Sequence, residues 1–294
     1  LKKVSNLDEV DRRYREYIGK GKVYDYSVSC TKEDGDMSTV RNFERDVMIG
    51  IPFGISSGQS PEKVEVIYLS PDGVPENMLA SYSADTKLAT FWTTHLSHYM
   101  VCYNEVYFSD VTDSNWAKRY IEAMAAKGIS KGKGDNIFDP YANVTRAEFA
   151  SYIIRAFKAY NNTYECDFED VHKGSWYYST VASAVKHDIV RGMPDNTFAP
   201  NGNITRQDMA VMLSRAMLSF LDLEDIGDES GMEKFGDYRS IHEYATEAVR
   251  HVVNHEIMTG KPGNLFAPYD YVTRGEAVAV IYRVFNLQNL GYQY

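Results

Sequence analysis

The sequence predicts a chain with at least two domains, a β-rich first part and a helical second part. Its 294 residues exceed what one hydrophobic core usually organises. Before about residue 105, short apolar runs alternate with turn-forming clusters such as SSGQSPE and SPDG. After Tyr107, apolar residues recur at helical spacing, and the chain repeats itself three times. Such repeats are typical of units that share one core.

The β-rich part is predicted to fold as a small β-sandwich over residues 23–105, which we interpret as a spacer. Short strands separated by Gly-, Pro- and Ser-containing turns are typical of sandwiches. The strand-like stretches are VYDYSVSC at 23–30, RDVMIGIPF at 45–53, KVEVIYLS at 63–70 and the run from 88 to 103. Residues 1–22 are more helix-like and are interpreted as a linker remnant. Because the chain opens on LKKVS without an initiator Met, we expect a C-terminal piece of a longer protein.

Three units of the helical part align with one another. FSDVTDSNW (108–116) corresponds to FEDVHKGSW (168–176) and FGDYRSIHEY (235–244). GISKGKGDNIFDPYANVTRAEF (128–149) corresponds to DIVRGMPDNTFAPNGNITRQDM (188–209) and EIMTGKPGNLFAPYDYVTRGEA (256–277). Each unit predicts a helix, a Gly- and Asn-rich loop and a second helix. The predicted boundaries are 106–165, 166–225 and 226–294, and the acidic connector LDLEDIGDESGMEK lengthens the third.

The motif VTRAE at 144–148 and its two counterparts predict where the second helix of each unit begins. Thr-x-x-Glu is a capping box, in which the threonine hydroxyl and the acid each accept a backbone N–H of the first turn. An aspartate in place of the glutamate makes a shorter and weaker version. The predicted cap pairs are Thr145 with Glu148, Thr205 with Asp208, and Thr273 with Glu276.

The arginine inside this motif is not needed for the cap. A cation is mildly unfavourable at a helix N-terminus, where the macrodipole is positive, so Arg146, Arg206 and Arg274 indicate another role. Beside free backbone N–H groups, a guanidinium can hold a carboxylate through two parallel hydrogen bonds. The alternative is a salt bridge to an aspartate of a neighbouring unit, and the chemistry of the motif leaves both open.

Other recurring residues surround the same loops. An aspartate stands near the start of each unit, and an aromatic residue follows it at the predicted start of the first helix. These residues are Asp110, Asp170 and Asp237, and Trp116, Trp176 and Tyr244. The aromatic rings suit either a core position or a platform for a sugar ring. The loop glycines Gly132, Gly192 and Gly260 are expected to take positive φ and to let backbone N–H groups approach a ligand, although a turn alone also explains each of them.

The combined motifs resemble the S-layer homology (SLH) domain, whose pattern is roughly F-x-D-V, W, a helix, G-x-x-x-G-x-x-D-G-x-F-x-P and I-T-R-A-E. The resemblance covers about residues 107–288. It implies a multidomain α and β protein in which an all-α, pseudo-threefold, three-prong spindle of three SLH repeats follows the β-sandwich. It also implies a secreted protein anchored non-covalently to the wall of a Gram-positive-type bacterium. The implied partner is the secondary cell-wall polysaccharide, often ending in a pyruvate-ketal N-acetylmannosamine.

The resemblance assigns glycan contacts in the grooves between neighbouring repeats. The motif arginines would pair with the ketal carboxylate, and the aspartates would accept hydrogen bonds from sugar hydroxyls. The aromatic residues and loop glycines would line the grooves. The implied set is Arg146, Arg206, Arg274, Asp110, Asp170, Asp237, Trp116, Trp176, Tyr244, Gly132, Gly192 and Gly260. Unit three departs from the pattern with Tyr244 for Trp, and unit two with Gln207-Asp208 for Ala-Glu. We therefore expect unequal grooves, with at least one competent.

Composition and motifs favour a binding module over other classes. The net charge of -10 opposes binding to nucleic acid or anionic lipid, and no apolar run approaches the roughly 20 residues of a membrane span. The sequence has no Gly-rich phosphate loop, metal triad or nucleophile elbow, so we expect no enzyme activity, catalytic residue, metal or cofactor. The alternative function is a structural assembly module with lateral contacts in a surface layer and no direct glycan binding.

Overall fold

The chain divides into two compact units in a computed structural model that describes residues 2–3, 21–31, 36–71, 74–223 and 230–289. The first unit comprises Leu1–Tyr107 with Ala126–Gly128, and the second comprises Phe108–Ala125 with Ile129–Tyr294. Strands occupy the first unit and helices the second, as predicted. The helix-like interpretation of residues 1–22 falls mostly outside the described residues, but Lys2–Lys3 and the stretch from Gly21 are strand.

The first unit is built from short antiparallel strands. In the described part of the chain these are β1 Lys2–Lys3, β2 Gly21–Asp25, β3 Val28–Thr31, β4 Met37–Val40, β5 Asn42–Pro52, β6 Val64–Leu69, β7 Pro75–Asn77, β8 Ser81–Ser83, β9 Leu88–His95 and β10 His98–Tyr103. They form sheets in the orders β1-β2-β10-β6-β7, β5-β9-β8 and β3-β4. The predicted run from 88 to 103 is therefore two strands, β9 in the three-stranded sheet and β10 in the five-stranded sheet.

The five-stranded and three-stranded sheets bury one core between them. Ile51 and Phe91 from the smaller sheet pack with Val66 and Val101 from the larger one. Alternate residues of a strand point to opposite faces, and Trp92, next to Phe91, is accordingly exposed. Two facing sheets with a shared core are the layer arrangement of a β-sandwich.

The second unit repeats a helix, a loop and a second helix. The described helices are α1 Lys118–Ala126, α2 Arg146–Ala156, α3 Tyr178–Lys186, α4 Arg206–Leu221, α5 Ser230–Glu233, α6 Glu243–Asn254 and α7 Arg274–Asn289. A 3-10 turn at Tyr238–Ser240 precedes α6. Helix α1 begins at Lys118, two residues after Trp116, which was predicted to stand at its start. Before the helix, the Asn115 side chain accepts the Ala117 N–H at 2.9 Å and forms a turn.

The three repeats are joined by the residues just before each second helix. The Val144 N–H donates to the Val272 carbonyl at 2.9 Å. The Val272 N–H donates to the Ile204 carbonyl at 3.1 Å, and the Ile204 N–H donates to the Val144 carbonyl at 3.1 Å. All three side chains are fully buried. Each repeat donates to one neighbour and accepts from the other, so the three repeats close a ring and share one core. The spindle shape implied by the resemblance stays a prediction.

The motif arginines reinforce this ring from the first position of α2, α4 and α7. In each case the side chain crosses to another repeat, and Nε donates to a phenylalanine carbonyl at 2.7–2.9 Å. The guanidinium carbon also lies 4.7–5.2 Å from the centre of that phenylalanine ring, within the range of a cation–π interaction. The pairs are Arg146 with Phe198, Arg206 with Phe266, and Arg274 with Phe138.

Replacing a buried motif arginine is expected to destabilise the fold. We expect Arg274→Ala to lower the free energy of unfolding by about 3–5 kcal/mol, because buried acceptors lose a charged donor. The measurement is urea unfolding of the full chain followed by far-ultraviolet circular dichroism. The matched control is Arg191→Ala, whose guanidinium is 64% exposed and pairs with Asp188, with an expected change of less than about 1 kcal/mol. Equal midpoints for the two variants would contradict this structural role.

Candidate functional site

The backbone N–H groups at the helix openings are already used between repeats. In α4, the Arg206 N–H donates to the Asp270 carbonyl and the Gln207 N–H to the Pro268 carbonyl, both at 3.0 Å. The first two N–H groups of α2 and of α7 donate to loop carbonyls of another repeat in the same way. The expectation that free N–H groups assist the arginine is therefore wrong. Of the first-position arginine's own donors, the guanidinium nitrogens are the ones left to meet a ligand.

The remaining guanidinium nitrogens distinguish the three arginines. Arg274 donates Nη1 to Glu148 Oε1 at 2.5 Å and Nη2 to the Lys131 carbonyl at 2.8 Å, and only 2% of the residue is exposed. Arg206 donates Nη2 to the Thr259 carbonyl at 2.8 Å, and no carboxylate of the described residues lies within 4.0 Å of it. Neither Nη1 nor Nη2 of Arg146 makes a hydrogen bond with the described residues, and Asp208 Oδ2 lies 3.9 Å from Nη1.

Burial changes the electrostatics of these groups without removing their charge. Burial lowers the pKa of the Arg206 guanidinium, and the negative charge of Glu276 is the largest opposing effect. The pKa of Arg146 is lowered for the same reason, with Asp208 opposing it. Because arginine stays protonated in proteins, each is a partly desolvated cation that interacts strongly with a nearby anion.

The three aspartates hold the loop of their own repeat. They were predicted to accept hydrogen bonds from sugar hydroxyls. Each carboxylate accepts two successive backbone N–H groups, at distances of 2.6–2.9 Å. The contacts are Asp110 with Phe138 and Asp139, Asp170 with Phe198 and Ala199, and Asp237 with Phe266 and Ala267. Since the phenylalanine carbonyl in this loop accepts the motif arginine, the aspartate positions that acceptor. The alternative of a salt bridge between repeats is confirmed for Arg274 and Arg146, but the acids are Glu148 and Asp208. Among the described residues, no salt bridge joins a motif arginine to Asp110, Asp170 or Asp237.

Packing, rather than backbone conformation, explains the loop glycines. A Cβ atom on Gly132, Gly192 or Gly260 would stand 2.7, 2.2 or 2.5 Å from the ring of the first phenylalanine of the same repeat. Gly192 takes the expected positive φ, at 74°. The expectation is wrong for Gly132 and Gly260, whose φ is not positive.

The recurring aromatic residues are exposed, which removes the core alternative. Trp116, Trp176 and Tyr244 are 56%, 61% and 55% exposed. Trp116 does not join the apolar face of the helix that follows it, where Ile121 and Met124 are buried. Each indole therefore offers a flat apolar surface beside polar groups, whereas Tyr244 is tied to the Asp208 carboxylate by a hydrogen bond of 2.7 Å.

One cleft of about 220 Å³ contains residues of all three repeats. Repeat one contributes Trp116 and repeat two contributes Arg206. Repeat three contributes Thr259, Gly260, Lys261, Pro262, Glu276 and Arg283, together with Met258, Ala279 and Val280. The predicted indole, guanidinium and loop glycine thus meet in one place. Three cations face one carboxylate, so the cleft is locally positive in an acidic chain.

Lys261 and Arg283 line this cleft but were not predicted from the sequence. Lys261 Nζ lies 2.7 Å from Asp270 and 4.0 Å from Glu276, and Arg283 Nη1 donates to the Ile257 carbonyl at 2.7 Å. An arginine recurs at this interval after every motif arginine, at Arg155 and Arg215. This recurrence is the sequence signal that identifies Arg283.

The described residues contain no helix long and apolar enough to cross a membrane. Within the same residues, no group of three or more His, Cys, Asp or Glu side chains is arranged to hold a metal ion.

Comparisons with known proteins bear on both units. The family model described as S-layer homology domain matches residues 107–150, 167–210 and 234–278. Over 95% of its length, the chain is 33% identical to an amylopullulanase of Thermoanaerobacterium thermosulfurigenes, of which it covers 14%. Over 63% of its length, it is 37% identical to the exoglucanase XynX of Acetivibrio thermocellus, of which it covers 17%. Over 51% of its length, it is 27% identical to a surface-layer 125 kDa protein of Lysinibacillus sphaericus, of which it covers 12%.

The chain spans a small share of each of these relatives, which include enzymes and a surface-layer protein. The similarity to the amylopullulanase covers 282 residues and so extends beyond the repeats into the strand-rich unit. The three matched segments coincide with the three units that close the hydrogen-bonded ring. The chain therefore carries three S-layer homology domains between residues 107 and 278.

Proposed function

We propose that the chain anchors a surface protein to a bacterial cell wall by binding an acidic secondary cell-wall polysaccharide. The expected contact is the end of the polymer, a pyruvate-ketal N-acetylmannosamine on a Gram-positive-type wall. The cleft in which Trp116, Arg206 and Gly260 meet is the observation that carries this proposal. The three S-layer homology domains support it, since relatives with these repeats include surface-layer proteins.

The chemistry of the cleft suits an acidic sugar. The exposed Trp116 indole offers an apolar face to the C–H groups of a pyranose ring. Arg206 offers a partly desolvated guanidinium whose Nη1 has no acceptor among the described residues, and a carboxylate is the anion that such a group holds best. Lys261 and Arg283 add positive charge at the rim. A ring bearing a ketal carboxylate matches both parts of the site.

The net charge of the chain makes local recognition necessary. At -10, the whole molecule repels a polyanion at long range. Binding therefore depends on the fit of one acidic end within the cleft, not on diffuse attraction along the polymer.

The alternative is an assembly module that makes lateral contacts and binds no glycan. The structural use of the motif arginines favours it, because Nε of each is already bonded to another repeat. The catalytic activities named for two of the relatives are not proposed for this chain, which covers under a fifth of either.

We expect the full chain to bind wall sacculi that carry a pyruvylated secondary polymer, and to lose this binding once hydrofluoric acid has removed the polymer. Co-sedimentation of the purified chain with untreated and stripped sacculi measures this. Released soluble polymer, added as a competitor, should reduce sedimentation with untreated sacculi. Undiminished binding to stripped sacculi would overturn the glycan proposal. Failure to bind either preparation would favour the assembly module.

A further inference from the structure

We propose that this chain binds one glycan end, in the Trp116–Arg206 cleft, and that its own carboxylates close the two equivalent positions. Glu148 does so by a hydrogen bond to Arg274, and Asp208 by its negative charge 3.9 Å from Arg146. The inference rests on the proposed function and states how many sites act and what closes the others.

The three positions are built by the same relation between repeats. Each combines the aromatic residue of one repeat, the motif arginine of the next, and the loop glycine and capping acid of the remaining one. Arg206 Nη2 donates to the carbonyl of Thr259, the residue before Gly260. Arg274 Nη2 donates to the carbonyl of Lys131, the residue before Gly132. The structure brings Trp116 to Arg206, Gly260 and Glu276, and Tyr244 to Asp208 beside Arg146. The alignment of the repeats assigns Gly192 to the Arg146 set, and Trp176 to the set of Arg274, Gly132 and Glu148.

At the Arg274 position, the capping acid already fills the place of a ligand carboxylate. Glu148 Oε2 accepts the Thr145 N–H at 2.9 Å, and Oε1 accepts Arg274 Nη1 at 2.5 Å. The two remaining nitrogens of the guanidinium donate to backbone carbonyls. An incoming carboxylate would have to displace Glu148 from a group that is 2% exposed.

At the Arg146 position, the shorter acid and the tyrosine act together. Asp208 Oδ2 accepts the Thr205 hydroxyl at 2.7 Å and lies 3.9 Å from Arg146 Nη1. Its Oδ1 accepts the Tyr244 hydroxyl at 2.7 Å. An indole has no hydroxyl to make this contact, so Tyr244 is held against the acid in a way that tryptophan would not be. The residue after the loop glycine is Met193, so the lysine of the other two repeats is missing here.

At the Arg206 position, the acid is held away from the arginine. Glu276 Oε2 accepts both the N–H and the hydroxyl of Thr273, at 2.8 and 3.0 Å, and Oε1 lies 4.0 Å from Lys261 Nζ. Arg206 has no carboxylate of the described residues within 4.0 Å. The cap and Lys261 together leave Arg206 Nη1 available to a ligand.

The position of Lys261 depends on a local difference between repeats. In repeat one, the matching Lys133 pairs with Asp139, whose Oδ2 lies 2.8 Å from Lys133 Nζ. In repeat three, Ala267 stands where Asp139 stands in repeat one. Lys261 therefore pairs with Asp270 and approaches Glu276 instead. Lys261 is a positioning residue for Arg206.

The two tryptophans provide a matched test. Both precede a first helix, and they are 56% and 61% exposed, so neither substitution should unfold the chain. We expect Trp116→Ala to weaken binding of soluble polymer at least tenfold, because the apolar face that packs on the sugar ring is lost. We expect Trp176→Ala to change the affinity less than twofold. Isothermal titration calorimetry gives the affinity and the stoichiometry, with one glycan end expected per chain.

The outcomes separate the two proposals. If the unaltered chain does not bind the polymer, the proposed function fails. If it binds the polymer with two or three equivalents, or if both tryptophan variants lose affinity equally, the function stands and the single-cleft proposal is overturned.

A second variant tests the role of the internal carboxylate. Glu148→Gln keeps an acceptor for the Thr145 N–H, as glutamine does in capping boxes, but removes the charge that neutralises Arg274. We expect the stoichiometry to rise from one towards two. The control is Glu165→Gln, which removes an exposed carboxylate paired with Lys173 and should leave the stoichiometry at one. Thermal unfolding of both variants verifies the fold. An unchanged stoichiometry in a folded Glu148→Gln variant would overturn the claim that Glu148 closes this position.

Discussion

The helical unit depends on the hydrogen bond from each motif arginine to a phenylalanine carbonyl of another repeat. A threonine cap starts the helix and so places the arginine at its first position. In the facing repeat, an aspartate binds the loop through two N–H groups and presents the carbonyl. Buried polar groups are generally paired. The cap, the aspartate, the carbonyl and the guanidinium are accordingly linked in one hydrogen-bond network. The ring of repeats closes only when all three copies are present.

Recognition and stability therefore use the same side chain. A guanidinium has several donors in a fixed plane, so one edge can close the ring while another faces solvent. The three arginines share the first use and differ in the second. Arg274 has all three nitrogens bonded within the protein, whereas Arg206 keeps Nη1 without a partner among the described residues. Small changes around the cap, such as aspartate for glutamate at Asp208, are enough to distinguish the positions.

The proposed glycan contact is also placed where the fold is rigid. The Arg206 side chain is held by two carbonyls at 2.7 and 2.8 Å, and Gly260 is held against the Phe235 ring. A ligand that meets preorganised groups loses less binding free energy to ordering them. An exposed tryptophan suits this apolar surface better than a flexible side chain does, because its ring has few torsions to immobilise on binding.

The sequence by itself determined the features that depend on residues close together in the chain. Caps act between positions three residues apart, so the starts of the second helices were predictable. Strands follow an alternating pattern, which indicated the strand-rich first unit. The repeats are visible as recurring motifs, which indicated the family. Tertiary structure alone decided the partners of the arginines, the exposure of Trp116 and the backbone conformation of Gly132 and Gly260. Arg274 meets Phe138 across 136 positions of sequence, and no local pattern records such a contact. The cause is the ring itself, which brings three distant loops together and gives each motif arginine its phenylalanine carbonyl.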